Sequence, residues 1–364
     1  RQQLVVPTRQ VVDLDLLGFG DELGKLLDAT GPKQGLTDPD HVPEPPDEPV
    51  TQPGALWILG DHRLLCGDAG KAEDVDRLLD GAGVQLVNTD PPYNVRVEPR
   101  SSTAIAAGMS SYPDLSLGKH QRLNKDWYEQ HGRPIGHHQA FDVARGRIDP
   151  DRARTKMRPK DRPLEGDFMT EEEFAALLRI WFGQIARVLE PGRSAYIWGG
   201  YANIGNYPPA FKECGIYFSQ GIIWYKNQAV LTRKDFMGAF EICFYGWREG
   251  AGHKFFGPNN VRDVWEVKKI AHQKMVHLTE KPVELARRAI EYSSRPGENV
   301  FDPFAGSGST LIACEQMGRR CYMMEIDALY CDIIVRRWEE FTGRKAEREP
   351  KSTPVEVTGV EGEK

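Results

Sequence analysis

The stretch Phe301-Asp302-Pro303-Phe304-Ala305-Gly306-Ser307-Gly308 stands between a short apolar segment and a helical one. It has the form of a glycine-rich turn that leads from a strand into a helix. Glycine lets a ligand approach the backbone closely, and the first turn of a helix offers unpaired N–H groups. Glu325 lies about twenty residues further on, at the end of the next predicted strand, where an acid can bind ribose hydroxyls. These features predict an α/β fold with a ribose-containing cofactor at the strand ends, and a plain tight turn is the alternative. No lysine follows the glycines, which argues against a triphosphate.

A second motif, Asp90-Pro91-Pro92-Tyr93, follows the apolar run 84–89. The run predicts a strand, so a carboxylate, a rigid backbone carbonyl and an aromatic ring stand at its end. An exocyclic amine of adenine or cytosine is a poor nucleophile because its lone pair is delocalised into the ring. Asp90 and the carbonyl of Pro91 can accept its two hydrogens and draw the nitrogen toward tetrahedral geometry. Tyr93 can stack on a flipped base. The alternative is a simple turn that ends a strand.

Strands and helices alternate along most of the chain, which predicts a mostly parallel sheet covered by helices on both faces. The predicted strands are 55–59, 63–66, 84–89, 194–198, 221–225, 241–247, 299–302 and 321–325. The predicted helices are 14–27, 73–79, 171 to Pro191, one between 198 and 221, 282–294, 308–317 and 330–341.

The domain organisation follows from changes in composition. Residues 1–53 predict a short helix and an acidic, proline-rich tether, 54–345 the compact domain, and 346–364 a flexible tail. Within the domain, 96–168 lacks sustained periodicity, and so long an insertion is typically functional or disordered.

Composition narrows the class of protein. The 364 residues carry a net charge of −6, but residues 1–50 alone hold four basic and ten acidic side chains. The rest is balanced, so DNA is not excluded as a partner. No apolar run of about 18 residues could span a membrane, and no signal peptide is visible.

The six scattered cysteines favour reduced, buried thiols in a cytoplasmic protein. His253, His272 and His277 are not spaced like a metal site, and we expect none. The chain begins at Arg1, as expected of a fragment or a processed protein.

The two motifs together resemble the catalytic and cofactor motifs of DNA amino-methyltransferases that use S-adenosylmethionine. Because the Asp90 motif precedes the glycine-rich turn, their order resembles the circularly permuted beta class. The resemblance implies a Rossmann-like class I methyltransferase fold with inserted DNA-recognition segments. It also implies that Asp90, Pro91, Pro92 and Tyr93 form the catalytic motif.

The same resemblance implies a set of cofactor contacts. Segment 279–285 resembles the helix start that contacts the methionine part of the cofactor, and 321–327 resembles the ribose-binding strand. Asp68 resembles the strand end near the adenine ring. Asn88 is less apolar than the usual strand residue there, which should matter little if its side chain leaves the core. The implied cofactor residues are Asp68, Thr279, Glu280, Lys281, Pro282, Asp302, Pro303, Phe304, Ala305, Gly306, Ser307, Gly308, Glu325, Ile326 and Asp327.

Residues 35–40 and 336–343 are similar to phage-type modification methylases. In many of those proteins a ParB-like domain precedes the linker, and we expect that domain to be absent here. The resemblance implies double-stranded DNA as the partner and allows a homodimer.

DNA contacts must come from outside the two core motifs. The Arg/Lys-rich stretch 145–162 can neutralise phosphates, and 227–275 stands where the beta class has its target-recognition region. The alternatives are a solvated charged loop and, for Lys226, a solvated strand end. The candidate residues are Arg152, Arg154, Lys156, Arg158, Lys160, Lys226, Arg233, Lys234, Asn259, Asn260 and Arg262.

We therefore expect a site-specific methyltransferase that moves the methyl group of S-adenosylmethionine to N6 of adenine in duplex DNA. The expected mechanism is base flipping with direct in-line attack. Within the family, Asp-Pro-Pro-Tyr favours adenine, and N4 of cytosine is the alternative. Methylation of RNA or of a protein glutamine is disfavoured by the permuted motif order and by 227–275. A DNA-binding module without turnover is disfavoured because both motifs and Glu325 occur together. No Pro-Cys dipeptide is present for cytosine C5 methylation.

Overall fold

The computed structural model describes residues 3–5, 11–13, 32–46, 48–94, 169–230, 235–270 and 280–349. The predicted helix at 14–27, the insertion at 96–168 and residues 350–364 of the predicted tail lie outside these ranges.

Within the described ranges, every predicted strand and helix is present. The strands are β1 (Gln3–Val5), β2 (Val11–Asp13), β3 (Leu56–Leu59), β4 (His62–Cys66), β5 (Val84–Thr89), β6 (Leu189–Gly199), β7 (Ile216–Val230), β8 (Gly238–Arg248), β9 (Val264–Glu266), β10 (Asn299–Asp302), β11 (Arg320–Glu325) and β12 (Glu347–Arg348). The helices are α1 (Ala72–Leu79), α2 (Glu171–Val188), α3 (Tyr207–Glu213), α4 (Val283–Ser293), α5 (Ser309–Met317) and α6 (Ala328–Thr342), with a 3-10 helix at Tyr201–Asn206.

Ten of the described strands form one sheet in the order β12-β3-β4-β11-β10-β5-β6-β8-β7-β9. The five central strands, from β4 to β6, run parallel to one another. Outside them, β3 pairs antiparallel with β4, and β8 pairs antiparallel with both β6 and β7. The mostly parallel α/β sheet predicted from the sequence is therefore confirmed, with antiparallel pairings on both sides of the parallel centre and an edge strand β9 that pairs parallel with β7.

Helices cover both faces of this sheet. Successive strand residues point to opposite faces, so Leu86 packs with residues of α4, α5 and α6, and its neighbour Val87 packs with residues of α1, α2 and α3. Both side chains are fully buried. Among the described helices, none has the length and hydropathy needed to cross a bilayer.

The start of α2 shows how a local signal sets a helix boundary. Thr170 Oγ1 accepts the backbone N–H of Glu173 at 3.2 Å, and the Glu173 carboxylate accepts the N–H of Thr170 at 2.9 Å. This capping box satisfies two N–H groups that the first helical turn leaves unpaired. The predicted helix start is confirmed.

Three departures from the sequence prediction concern the edges of the sheet. The edge strand β9 is not among the predicted strands. Strands β7 and β8 extend well beyond the predicted 221–225 and 241–247, because each continues to pair with the other outside the apolar run. The expected flexible tail begins instead with β12, which pairs antiparallel with β3. This short strand consists of exposed charged residues and therefore gives no apolar signal.

The described part of the acidic linker is not the extended tether that its composition predicts. Val42 is buried in a cluster with Tyr330 and Ile333 of α6. The backbone N–H of Thr51 donates to the carboxylate of Asp332 at 3.1 Å, on the same helix. The linker therefore packs along α6, because its few apolar residues and its backbone groups find partners there.

Candidate active site

The two sequence motifs meet at one edge of the sheet. Asp90 directly follows β5 and Asp302 ends β10, and these strands are parallel neighbours. After β10 the chain continues to β11 on one side of this pair, and after β5 it continues to β6 on the other side. In open α/β sheets, such a switch point between strand ends opens a crevice that binds ligands.

Two buried hydrogen bonds join the motifs beneath this crevice. Thr89 Oγ1 donates to Asp302 Oδ1 at 2.7 Å, and Asn88 Nδ2 donates to Thr310 Oγ1 at 3.0 Å. The Asn88 side chain does not leave the core, because it is buried and bonded to α5. Burial raises the pKa of Asp302 to about 6, although its hydrogen bonds oppose the shift.

The glycine-rich turn has the backbone geometry that its sequence predicts. Gly306 and Gly308 have φ values of 54° and 84°, which favour glycine. The N–H of Gly306 donates to Glu325 Oε2 at 2.9 Å, so the turn is fixed to the end of β11. Helix α5 begins at Ser309, directly after the turn, and its first N–H groups face this edge of the sheet.

Glu325 lies at the carboxyl end of β11. Its Oε1 atom accepts the backbone N–H of Asp327 at 3.0 Å, and burial raises the pKa of the carboxyl group to about 7. The next residue, Ile326, has a half-exposed apolar side chain. Asp327 itself accepts the N–H of Leu329 at 2.9 Å and thereby caps α6.

Asp68 follows the neighbouring strand β4, whose Cys66 is paired in register with Glu325. Asp68 Oδ1 accepts the N–H of Gly70 at 2.8 Å. The two predicted acids therefore stand at adjacent strand ends, on the side of the glycine-rich turn away from Asp90.

On the other side of the turn, Asp90 lies in a cluster of ionised groups. Tyr93 donates its hydroxyl to Asp90 Oδ1 at 2.5 Å, and the Lys281 ammonium contacts Asp90 Oδ2. Lys281 Nζ also lies 2.7 Å from the Tyr93 hydroxyl oxygen and 3.2 Å from Glu241 Oε2. The other oxygen of Glu241 contacts the ammonium of Lys226. Two carboxylates, two ammonium groups and one phenol are thus joined in one network.

This network fixes the charges of its members. Burial raises the pKa of Asp90, and Lys281 only partly offsets the shift. Burial also disfavours the charge of Glu241, but Lys281 and Lys226 outweigh it and lower its pKa to about 2. Burial would lower the pKa of Lys281, yet Asp90 and Glu241 raise it. Burial, together with Asp90, holds the pKa of Tyr93 well above its ordinary value, so Tyr93 is a neutral donor.

The backbone after Asp90 is held by contacts from two other segments. Asn203 Nδ2 donates to the carbonyl oxygen of Tyr93 at 2.6 Å, and the Asn94 side chain exchanges two hydrogen bonds with the backbone of Met169. Pro91 is buried, and Pro92 and Tyr93 are partly exposed. The loop from Asp90 to Asn94 is therefore held in place by hydrogen bonds from other segments.

Three residues of this region did not stand out in the sequence. Glu241 is a single acid in the otherwise apolar stretch 238–245, and that isolation is the signal that could have revealed it. Arg337 is buried and donates to the carbonyl of Ser307 in the cofactor turn at 2.9 Å. Asp40 of the linker accepts the N–H of Val283 at the start of α4 at 2.8 Å.

The structure changes the prediction for Lys226, which we expected among the DNA contacts. Lys226 is buried and bound to Glu241, so its ammonium does not face a phosphate at the surface. Asn259, Asn260 and Arg262 are largely exposed in the loop before β9. Glu280, Lys281 and Pro282 are buried just before α4. Thr279, Arg152, Arg154, Lys156, Arg158, Lys160, Arg233 and Lys234 lie outside the described residues.

An α/β sheet with an acid-bearing loop and a glycine-rich turn at adjacent strand ends defines a Rossmann-like protein with a cofactor crevice. Residues 84–336 match the family N6_N4_Mtase, described as DNA methylase. This match covers more than half of the chain, which therefore belongs to the DNA methylase family. Residues 10–53 match the ParB-methyltransferase HTH domain. The second match assigns an HTH domain to the segment for which the sequence predicted a short helix and a linker.

The chain is also similar to individual proteins. The chain is 28% identical over 206 residues to the type II methyltransferase M.HpaI of Haemophilus parainfluenzae, an alignment that covers 50% of this chain and 66% of M.HpaI. It is 18% identical to M1.HpyAVI in a complex with SAM, with a TM-score of 0.47 and coverage of 75% of this chain and 98% of the other. It is 12% identical to the PvuII DNA methyltransferase, described as cytosine-N4-specific, with a TM-score of 0.47 and coverage of 81% and 98%. The chain thus spans just under two thirds of M.HpaI.

Proposed function

We propose that this chain transfers the methyl group of S-adenosylmethionine to an exocyclic amine of a base in double-stranded DNA. The observation that carries the proposal is the position of the two motifs. Asp90 and the glycine-rich turn leave adjacent parallel strands at the switch point of the sheet. An acceptor held at Asp90 and a donor held at the turn would therefore meet in one crevice.

The chemistry of the described residues fits S-adenosylmethionine. Glu325 is a partly buried carboxylate at a strand end, where it can accept hydrogen bonds from ribose hydroxyls. The half-exposed side chain of Ile326 offers an apolar surface for a purine ring. Gly306 and Gly308 let the amino-acid part approach the backbone, and Asp68 stands beside Glu325. The bound cofactor would supply an electrophilic methyl group on a sulfonium.

The residues around Asp90 would prepare the acceptor nitrogen. The Asp90 carboxylate and the carbonyl of Pro91 accept its two hydrogens, which frees the lone pair for attack. Transfer forms an N–C bond and breaks the S–C bond, whose electron pair stays on sulfur. The methylated nitrogen then carries an extra proton, which the Asp90 carboxylate can accept. The neutral Tyr93 supports Asp90 through its hydrogen bond and presents its ring to the base.

We propose N6 of adenine as the methylated atom, because Asp-Pro-Pro-Tyr resembles the adenine-directed form of the motif. The family name covers both N6 and N4 chemistry, and the two reactions need nearly the same site. N4 of cytosine is therefore the second candidate.

Base recognition is proposed for residues outside the catalytic crevice. Within 227–275, Asn259, Asn260 and Arg262 are exposed and carry groups that can read base edges in the major groove. The HTH match at 10–53 adds a second candidate for DNA contact, in front of the domain 54–345. We keep 145–162 as a candidate for phosphate contacts on its charge alone.

The test is mass spectrometry of nucleosides from unmethylated plasmid incubated with the protein and S-adenosylmethionine. N6-methyladenine would support the whole proposal, and N4-methylcytosine would support the reaction and correct the base. If neither nucleoside forms while the protein retains the plasmid and binds the cofactor, the proposed DNA methylation is refuted. The same assay on RNA and on a glutamine-containing protein would then distinguish the rival acceptors.

A further inference from the structure

Four ionised side chains alternate in sign next to the catalytic motif. They lie in the order Asp90, Lys281, Glu241, Lys226, and each contacts the next. Lys226 and Lys281 are only 7% and 8% exposed. The chain of contacts has no net charge when all four groups are ionised. We call these four residues the charge cluster.

Within the charge cluster, the Asp90 carboxylate already has a partner on each oxygen. Oδ1 accepts the hydroxyl of Tyr93 at 2.5 Å, and Oδ2 accepts the ammonium of Lys281. A base amine that donates to Oδ2 of Asp90 would therefore compete with Lys281 for that oxygen. Separating a buried ammonium from its carboxylate is costly unless a second carboxylate takes its place.

We propose that Glu241 is a positioning residue that receives Lys281 when the target amine takes the place of Lys281 on Asp90. Glu241 Oε2 already lies 3.2 Å from Lys281 Nζ, so the exchange requires only a small movement of a flexible side chain. This inference rests on the role of Asp90 in the proposed function. It assigns to Glu241 and Lys281 a part in exposing the acceptor site.

Lys226 prepares Glu241 for this exchange. It binds the second oxygen of Glu241 and, together with Lys281, lowers the pKa of that carboxyl group. The buried ammonium of Lys226 also lies 5.0 Å from the centre of the Trp224 ring, which helps to fix its position. Lys281 can therefore leave Asp90 and stay paired with a carboxylate, while Tyr93 and the bound amine hold the Asp90 carboxylate by hydrogen bonds.

The same exchange in reverse would reset the site. After transfer, Asp90 holds the proton that the methylated nitrogen has lost. The return of Lys281 from Glu241 favours the carboxylate form of Asp90, so the proton leaves to water. The charge cluster is then neutral again, and Asp90 is ready for another amine.

A purely structural role would be a poor explanation for the charge cluster. Buried ion pairs recover little more than the cost of desolvation, and apolar residues of similar size often stabilise a protein as well or better. Glu241 interrupts an apolar strand that could have remained apolar. Perturbed ionisable groups gather at functional sites, and this cluster contains the catalytic carboxylate itself.

The test compares two variants that break the Glu241–Lys226 ion pair from opposite sides. Glu241→Gln leaves Asp90 as the one carboxylate partner of Lys281 in the cluster, whereas Lys226→Met leaves Glu241 available to receive Lys281. We expect single-turnover methyl transfer to unmethylated plasmid to be at least about tenfold slower in Glu241→Gln than in Lys226→Met. Cofactor affinity should be the same in both variants, since neither residue belongs to the cofactor turn.

The pH dependence supplies a readout that a folding defect would not change. Loss of the negative charge of Glu241 lowers the pKa of Asp90, so the acid limb of the pH–rate profile should move to lower pH in Glu241→Gln. The other groups that bear on this limb are Lys281, the neutral Tyr93 through its hydrogen bond, and Asp302, whose carboxyl group interacts with Asp90 and has a pKa of about 6. Glu241→Asp keeps the charge but withdraws it by one methylene, so it should shift the limb in the same direction by less.

Equal rates in Glu241→Gln and Lys226→Met, with an unshifted acid limb in Glu241→Gln and Glu241→Asp, would overturn the inference. Absence of transfer by the wild-type chain would instead refute the proposed function. The two failures are therefore distinguishable within one series of measurements.

Discussion

The carboxylate of Glu325 accepts the backbone N–H of Gly306 at 2.9 Å, which joins the predicted ribose acid directly to the glycine-rich turn. Two halves of the proposed cofactor site, from β10 and β11, thus hold each other in place. Because burial raises the pKa of Glu325 to about 7, its charge changes within the range of ordinary assays.

The first prediction concerns this titration. A carboxylate accepts ribose hydroxyls better than a neutral carboxylic acid does, so S-adenosylmethionine should bind about tenfold more tightly at pH 8 than at pH 6. Glu325→Gln should bind more weakly by roughly tenfold or more at pH 8 and lose most of this dependence. Titration calorimetry at several pH values measures both effects. Asp302, whose pKa is about 6, accounts for any residual slope at the acid end. A full pH dependence in Glu325→Gln would contradict the assignment.

The second prediction concerns Asp90. Asp90→Ala removes an acceptor of the amine hydrogens, so methyl transfer should fall by at least about 10³-fold while cofactor affinity changes by less than about threefold. Asp90→Asn retains one acceptor oxygen without the charge and should lie between Asp90→Ala and the wild type. Single-turnover transfer and cofactor titration separate the two quantities. Wild-type activity in Asp90→Ala would rule out the proposed mechanism.

The sequence predicted the parts of this site that depend on local chemistry. A strand followed by Asp90, and a strand followed by Gly306 and Gly308, were recognisable because each motif needs only its own neighbours. The partners of those motifs were not recognisable, because they come from distant segments. Glu241 reaches the site through the antiparallel pairing of β8 with β6, and no local pattern specifies that pairing. For the same reason Lys281 was assigned to the cofactor, although its ammonium contacts Asp90.

The third prediction compares two adjacent arginines of α6. Arg337 is buried and donates to the carbonyl oxygens of Ser307 at 2.9 Å and of Pro39 at 2.7 Å, and burial lowers its pKa to about 10. It therefore connects the linker to the cofactor turn. Arg336 is half-exposed and pairs with Glu340 on the surface of the same helix.

Arg337→Met should reduce the free energy of unfolding by about 2–4 kcal/mol, because one buried and one partly buried carbonyl group lose their donor. It should also weaken S-adenosylmethionine binding, since Ser307 loses its support. Arg336→Met is the matched control and should cost about 0.5 kcal/mol or less. Denaturant unfolding and cofactor titration of both variants provide the comparison. Similar losses of stability in the two variants would show that the buried connection contributes nothing.

The fourth prediction separates backbone strain from close packing in the glycine-rich turn. Gly308 has a φ of 84°, and a Cβ atom there would lie 3.3 Å from the side chain of Ile334. Gly297 has a similar φ of 80°, but a Cβ atom there would meet nothing within 4 Å. Alanine at either position is strained by its backbone, at a cost of about 1 kcal/mol, so Gly297→Ala is the matched control.

Gly308→Ala should cost roughly 1 kcal/mol more, because Ile334 on α6 must move. That movement would displace the turn, so cofactor affinity should fall by about tenfold in Gly308→Ala and remain unchanged in Gly297→Ala. Unfolding by denaturant and cofactor titration measure the two effects, and equal cofactor affinity in both variants would mean that the turn does not need its close contact with α6.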